Sequence, residues 1–234
     1  MPDRKLKADS DTVDYILNMY STYIDNLQIT KLKELLSKDT HDYDEDTIKN
    51  VINSIMQLIV DECGSDIVND LSLPRQGDWG YYRGVIFNQH VNVRKDNIRP
   101  YEFSYAEFAD GITIRSKKLP KGALMGARMY GTVDLTSVEV LESSNLNYMF
   151  VENCTVKLSK SLKEINAGSF LIDVANKPMI EYDGTVEEFN ELIENNISRL
   201  VKRSDKSIFI ITVKALSIKC NDGTWTYELL SSDK

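Results

Sequence analysis

Asp39-Thr40-His41-Asp42-Tyr43-Asp44-Glu45-Asp46 is the densest run of metal-capable side chains in the chain. A calcium loop alternates oxygen ligands, needs glycine at its sixth position and closes on a glutamate at its twelfth. Asp42, Asp44 and Asp46 begin such a loop, but Thr47 stands at the glycine position and Asn53 at the glutamate position. The run is expected to be a solvated loop that starts a helix, and no metal ligand set is assigned. The chain has two histidines, His41 and His90. No serine or cysteine with an activating neighbour accompanies His90, so no nucleophile-base pair is read there and no catalytic residue is assigned. The three cysteines, Cys63, Cys154 and Cys220, are far apart and form no Cys-x-x-Cys, which argues against a zinc site or a disulfide framework. The most unusual local composition is Gly77-Asp78-Trp79-Gly80-Tyr81-Tyr82-Arg83-Gly84. Trp79, Tyr81, Tyr82 and Arg83 could form a platform that stacks on a sugar or a nucleotide. The favoured reading is a glycine turn leading into a strand over 82–87, with the aromatics packed on the N-terminal helices. No phosphate loop, triad or cofactor motif is present, so no cofactor is expected.

The elements that would position these residues are legible as a repeat. Four apolar-x-apolar triplets recur at a nearly constant period: Ile112-Thr113-Ile114, Val133-Asp134-Leu135, Val156-Lys157-Leu158 and Ile180-Glu181-Tyr182. Val138, Leu141, Leu146 and Val156 are matched one period later, in the same internal spacing, by Leu162, Ile165, Phe170 and Ile180. In a strand, alternate side chains point to opposite faces. Each triplet therefore turns two side chains inward and one outward, and stacking at a fixed period joins the inward pairs into one core. The expectation is a solenoid of stacked strands, with Val133, Val156 and Ile180 on neighbouring parallel rungs.

Leu162-Lys163-Glu164-Ile165-Asn166-Ala167-Gly168-Ser169-Phe170 supplies an apolar-x-x-apolar step and a small-residue turn. Ile180-Glu181-Tyr182-Asp183-Gly184-Thr185-Val186-Glu187-Glu188-Phe189-Asn190 closes the array, and Ile218-Lys219-Cys220-Asn221-Asp222-Gly223-Thr224 follows as a further strand. In these segments the chain resembles the BspA-type leucine-rich-repeat family, over about residues 111–224. The resemblance implies a short leucine-rich-repeat solenoid whose work is to hold other proteins. Pro120, Gly122 and Gly126 depart from the repeat pattern in its first unit, and Tyr148 to Cys154 is bulkier than the usual turn. Family members are often exported. The opening Met1 to Lys7 is polar, with no apolar signal core, so this chain is expected in the cytoplasm or in a virion. Small repeat proteins of this kind suggest, by analogy of type, a bacteriophage accessory or virion structural protein, or a bacterial cytosolic scaffold.

Four regions follow: a helical region 1–73, an irregular or β connecting segment 74–110, the repeats 111–184 and a C-terminal α/β cap 185–234. The fold class is thus α+β. In the first region, Val13, Ile16, Leu17, Tyr20, Ile24 and Leu27 share a helix face, Leu32, Leu35 and Leu36 mark a short helix, and Ile48, Val51, Ile52, Ile55 and Ile59 form a stripe that stops at Gly64. In the second, Tyr101, Phe103 and Tyr105 alternate as a strand would and are expected to seal the N-terminal edge of the stack. In the cap, Thr185-Val186-Glu187-Glu188 is a capping box that opens a helix. Ile208 to Val213 reads as a buried strand, and Ile218-Lys219-Cys220 with Thr224 to Leu229 reads as a hairpin.

A net charge of −8 argues against nonspecific nucleic-acid binding, which needs a basic face. No apolar run is long enough to span a membrane. The expected function is therefore non-catalytic: a protein–protein interaction or assembly module with another protein as partner. Its docking face is read as the outward residues of the strand triplets. These are Thr113, Asp134, Lys157 and Glu181 in one column, and Arg115, Thr136, Ser159 and Asp183 in the next.

Overall fold

The structure is a computed structural model of the 234-residue chain. It describes residues 53, 54, 56–61, 63–70, 82–146, 148–166, 169, 179–201 and 217–226. The helices expected over 10–36, the acidic run at 39–46, Trp79, Tyr81, Phe170 and the strand expected over 208–213 lie outside the described residues. The chain divides into two compact units, 1–67 and 68–234.

In the first unit the described residues from 53 to 63 are helical, with Met56, Ile59 and Val60 buried on one face. Gly64 ends this helix in the left-handed region at φ 78°, and its N–H returns to the Val60 carbonyl at 2.9 Å. Glycine reaches that conformation without a Cβ penalty, which is why the stripe stops there.

The second unit is a β-solenoid. Its strands are β1 (Ile86–Phe87), β2 (Val91–Val93), β3 (Glu107–Phe108), β4 (Ile112–Ile114), β5 (Lys118–Leu119), β6 (Arg128–Leu135), β7 (Val140–Leu141), β8 (Phe150–Leu158), β9 (Glu164–Ile165), β10 (Met179–Tyr182), β11 (Ser217–Lys219) and β12 (Thr224–Thr226). All pairs are parallel except β11–β12. Val91, Ile112, Val133, Val156, Ile180 and Ile218 lie side by side on successive rungs, as the triplet period requires. All six are buried. Burying each such side chain contributes about 1.5–3 kcal/mol, so the column is a main source of cohesion between coils. A second sheet, β5-β7-β9, stacks Leu119, Leu141 and Ile165 in the same way.

The stack starts before Gly111. β2 pairs with β4 in the same parallel register that joins the later rungs, so the segment read as a connection over 74–110 contributes a coil of its own from β1 onward. The strand expected over 101–105 is instead a tight corner. Tyr101 and Tyr105 have φ of 60° and 58°, so the chain turns where the alternation suggested extension. The corner does not seal an edge, because coils lie on both sides of it. Tyr82 and Gly84 donate backbone N–H groups to Glu102 and Tyr105, while Tyr101, Phe103 and Tyr105 donate to Lys121, Ala123 and Met125. Phe103 points inward and stacks on Tyr82, with ring centroids 5.2 Å apart and planes at 10°. Phe87 stacks on Phe108 in the same cluster.

The departures at Gly122 and Gly126 have a steric cause. The Tyr105 ring lies across Gly126, where an added Cβ would come within 2.5 Å of a ring carbon, and Tyr101 covers Gly122 likewise. Buried Asn145 ties three corner segments together. It accepts the Ala123 N–H at 3.1 Å and donates to the Leu119 and Glu142 carbonyls at 2.8 and 2.7 Å.

At the C-terminal end a helix follows the last repeat. It is labelled α2 (Val186–Val201), after the one-turn α1 (Ile67–Asp70). The capping box is in place: Thr185 N–H donates to Glu188 Oε2 at 2.7 Å, and Glu188 N–H to Thr185 Oγ1 at 3.1 Å. Asn196 of α2 covers the open edge of β9, accepting the Ile165 N–H at 3.2 Å and donating to the Lys163 carbonyl at 3.1 Å. Tyr182, Phe189 and Trp225 pack edge to face at 5.0 and 5.1 Å, and Trp225 Nε1–H donates to Asn190 Oδ1 at 3.1 Å. A parallel stack has edges that could pair with other chains. Helix α2 and the β11–β12 hairpin cover part of them.

Candidate functional site

The central residues of the long ladder form one column in register: Asn92, Thr113, Asp134, Lys157, Glu181 and Lys219. Neighbouring rungs are about 4.8 Å apart. From Asp134 onward the column alternates in charge: negative, positive, negative, positive. Arg115, Thr136, Ser159 and Asp183 follow Thr113, Asp134, Lys157 and Glu181 by two positions, just past the ends of β4, β6, β8 and β10.

Two of these eight residues are not open to solvent. Thr113 is 6% exposed and Ser159 8%. Both are small. Thr113 lies 2.9 Å from His90 Nε2 through its Oγ1, while His90 Nδ1 donates to the Asp110 carbonyl at 2.7 Å. A carbonyl only accepts, so this contact sets the ring's tautomer. Ser159 donates to Asp183 Oδ2 at 3.1 Å, and Asp183 also accepts the Lys160 N–H. Lys219 was missed as a member of the column. Its strand was legible, but the long stretch of chain between Glu181 and Lys219, which includes α2, breaks the period.

The Asp134 carboxylate is held by its own loop. Thr136 donates to Asp134 Oδ1 through N–H at 3.0 Å and through Oγ1–H at 2.6 Å. Burial pushes the Asp134 carboxyl up, but these bonds and the nearby charges of Arg115 and Lys157 outweigh it, and the group titrates below its ordinary value. Glu181 is paired with Lys219 at 3.0 Å. A groove of about 240 Å³ opens over this part of the face, between Thr136 and Lys157 on one side and Lys219 and Asn221 on the other. Glu181, Tyr182, Asp183 and Cys220 also line it. Burial, with Glu188 and Asp183 nearby, pushes the Tyr182 phenol up to about 12. Burial also pushes the Cys220 thiol up, so it stays protonated near neutral pH, which is the wrong direction for a nucleophile. What the groove offers is hydrogen bonding and charge. Among the described residues no three His, Cys, Asp or Glu side chains are placed to hold a metal ion. No described helix is long and apolar enough to cross a membrane.

The alternative site is divided. Tyr82 belongs to the core, fully buried against Phe87 and Phe103, while Trp79 and Tyr81 lie outside the described residues. Arg83 is exposed, and its guanidinium lies 4.1 Å from the centre of the Tyr105 ring. Phe150, which Arg128 approaches at 6.0 Å, and Tyr148 are half or more exposed on a later coil. The more open rings are therefore Tyr148 and Phe150, on a coil beyond the segment that suggested a platform, while the Tyr105 ring lies across Gly126 and under the Arg83 guanidinium. No family model matches the chain, and no curated protein and no solved structure matches it.

Proposed function

We propose that this chain is a non-catalytic protein–protein interaction or assembly module, built on a short leucine-rich-repeat solenoid of the BspA type and working in the cytoplasm or in a virion. The observation that carries the reading is the column Asp134, Lys157, Glu181 and Lys219, four charges of alternating sign in register on parallel strands. Such an arrangement suits specific docking, because charge complementarity sets register and rejects mismatched partners. The near-constant period of the strand triplets and the buried Asn145 that bonds backbone from coil to coil support the repeat assignment. The test is a pull-down from lysate of the native host, comparing wild type with the double charge reversal Asp134→Lys with Lys157→Asp. Loss of the retained protein is expected. Retention at wild-type level removes this face from consideration.

A second reading is binding of a glycan or nucleotide. It is favoured by Arg83 over Tyr105 and by the exposed rings of Tyr148 and Phe150. A glycan and nucleotide screen with Tyr105→Ala and Phe150→Ala as controls separates the two readings.

A further inference from the structure

We infer that the groove beside Lys157 takes a carboxylate side chain of an extended partner segment, with Arg115 receiving a second one along the same face. This rests on the docking face proposed above and names the chemistry that it recognises.

Most lysines on this side of the solenoid are paired, while Lys160 and two cations of the proposed docking face are not paired with any described residue. Lys117 and Lys163 both pair with Glu139, at 3.2 and 2.6 Å, Lys118 pairs with Glu142 at 2.5 Å, and Lys219 pairs with Glu181. Lys157 and Arg115 make no side-chain hydrogen bond or ion pair with any described residue, although each lies in the field of Asp134. The cause is local. Asp134 is turned toward Thr136, and Glu181, the next carboxylate in the column, is held by Lys219. Among the described residues, neither cation is neutralised by a carboxylate bonded to it, so each can meet one from a partner. Lys157 lines the groove, while Arg115 is exposed. The Thr136 hydroxyl, whose proton goes to Asp134, keeps a lone pair that can accept a peptide N–H beside Lys157.

A carboxylate fits better than a phosphate. Glu181 and Asp183 line the same groove and would repel a dianion more strongly than a monoanion. A free carboxylate would be held poorly, because a solvent-exposed ion pair is worth about 0–1 kcal/mol. Useful affinity needs a segment that runs along the rungs and places two acidic side chains at once.

The test uses the full chain and fluorescence anisotropy with short alanine–serine peptides carrying spaced glutamates. Glutamine and phosphoserine versions of the same peptides are run beside them. The glutamate peptide is expected to bind about three- to tenfold more tightly than the glutamine peptide, the range set by two exposed ion pairs. Lys157→Gln with Arg115→Gln should abolish that preference, and Lys157→Arg should keep it, with circular dichroism unchanged in each variant. Equal binding of glutamate and glutamine peptides, a preference that survives the double substitution, tighter binding of the phosphoserine peptide, or no binding of any peptide overturns the inference. If the wild type retains a host protein yet shows no glutamate preference, only the carboxylate assignment fails. If it retains none, the docking face itself fails.

Discussion

Gly111 and Gly126 are both in the left-handed region, at φ 83° and 66°, but their surroundings differ. A Cβ on Gly111 would lie 2.1 Å from the Thr132 carbonyl oxygen, which belongs to the neighbouring rung and cannot move without breaking the ladder. A Cβ on Gly126 meets the Tyr105 ring, which is partly exposed and able to swing away. Left-handed backbone alone costs about 1–2 kcal/mol for a residue with a Cβ. Gly126→Ala should cost about that much, and Gly111→Ala clearly more, as read from urea unfolding midpoints. Asn145→Ala should cost about 2–4 kcal/mol in the same assay, because it strands buried backbone groups that Asn145 now satisfies. The thiols give a further check. Burial pushes Cys154 up to about 11 and raises Cys220, whereas Cys63 is exposed. In native protein at neutral pH a thiol reagent should label Cys63 rapidly and the other two only after denaturation. Rapid labelling of Cys154 would contradict its place in the core. At this scale the glycines were visible but misread. Gly122 and Gly126 stand one repeat after Tyr101 and Tyr105, and that pairing of ring with glycine was the available signal.

Elements set by local chemistry could be read from the sequence. The capping box at Thr185 needs only side chains one helical turn apart, and it forms as expected. Thr185→Ala should cost about 1 kcal/mol and shorten α2 at its N-terminus, measurable by thermal melting. Trp225→Ala should cost about 3–5 kcal/mol, because it empties the ring cluster that joins β12 to Phe189. The strand triplets were legible because period-two burial and a near-constant interval point the same way. The 101–105 corner was not. A strand would place Tyr101, Phe103 and Tyr105 on one face, whereas the corner buries Glu102, Phe103 and Ser104 together and leaves Tyr105 exposed. The spacing of the rings suggested the strand, and nothing in it signalled left-handed backbone, which is uncommon for an aromatic residue.

For the whole solenoid, each coil rests mainly on its neighbours, so stability is close to a sum of coil and interface terms. Several interface terms depend on carboxylates. Glu139 receives Lys163 from the next coil and Lys117 from the previous one, and these contacts hold its carboxyl below the ordinary value. For Glu142, burial acts upward, but Lys118 and the Lys121 N–H prevail and the carboxyl is lowered. Asp134 is lowered as well. A carboxyl whose folded pKa is depressed stabilises the fold above its unfolded pKa, and that stability is lost as pH falls through the folded value. Stability should therefore be level near neutrality and decline below about pH 4. Glu139→Gln with Asp134→Asn should make the decline shallower, as seen in melting temperature against pH.

The sign alternation along Asp134, Lys157, Glu181 and Lys219 has one more consequence. A partner carrying the matching sequence of charges that slides by a single rung loses one contact and meets repulsion at the other three. Only a shift of two rungs restores agreement, and on a column this short it forfeits half of the contacts. On the docking face proposed above, the column would thus act as a ruler with a single zero mark, on which a complementary chain settles in one frame.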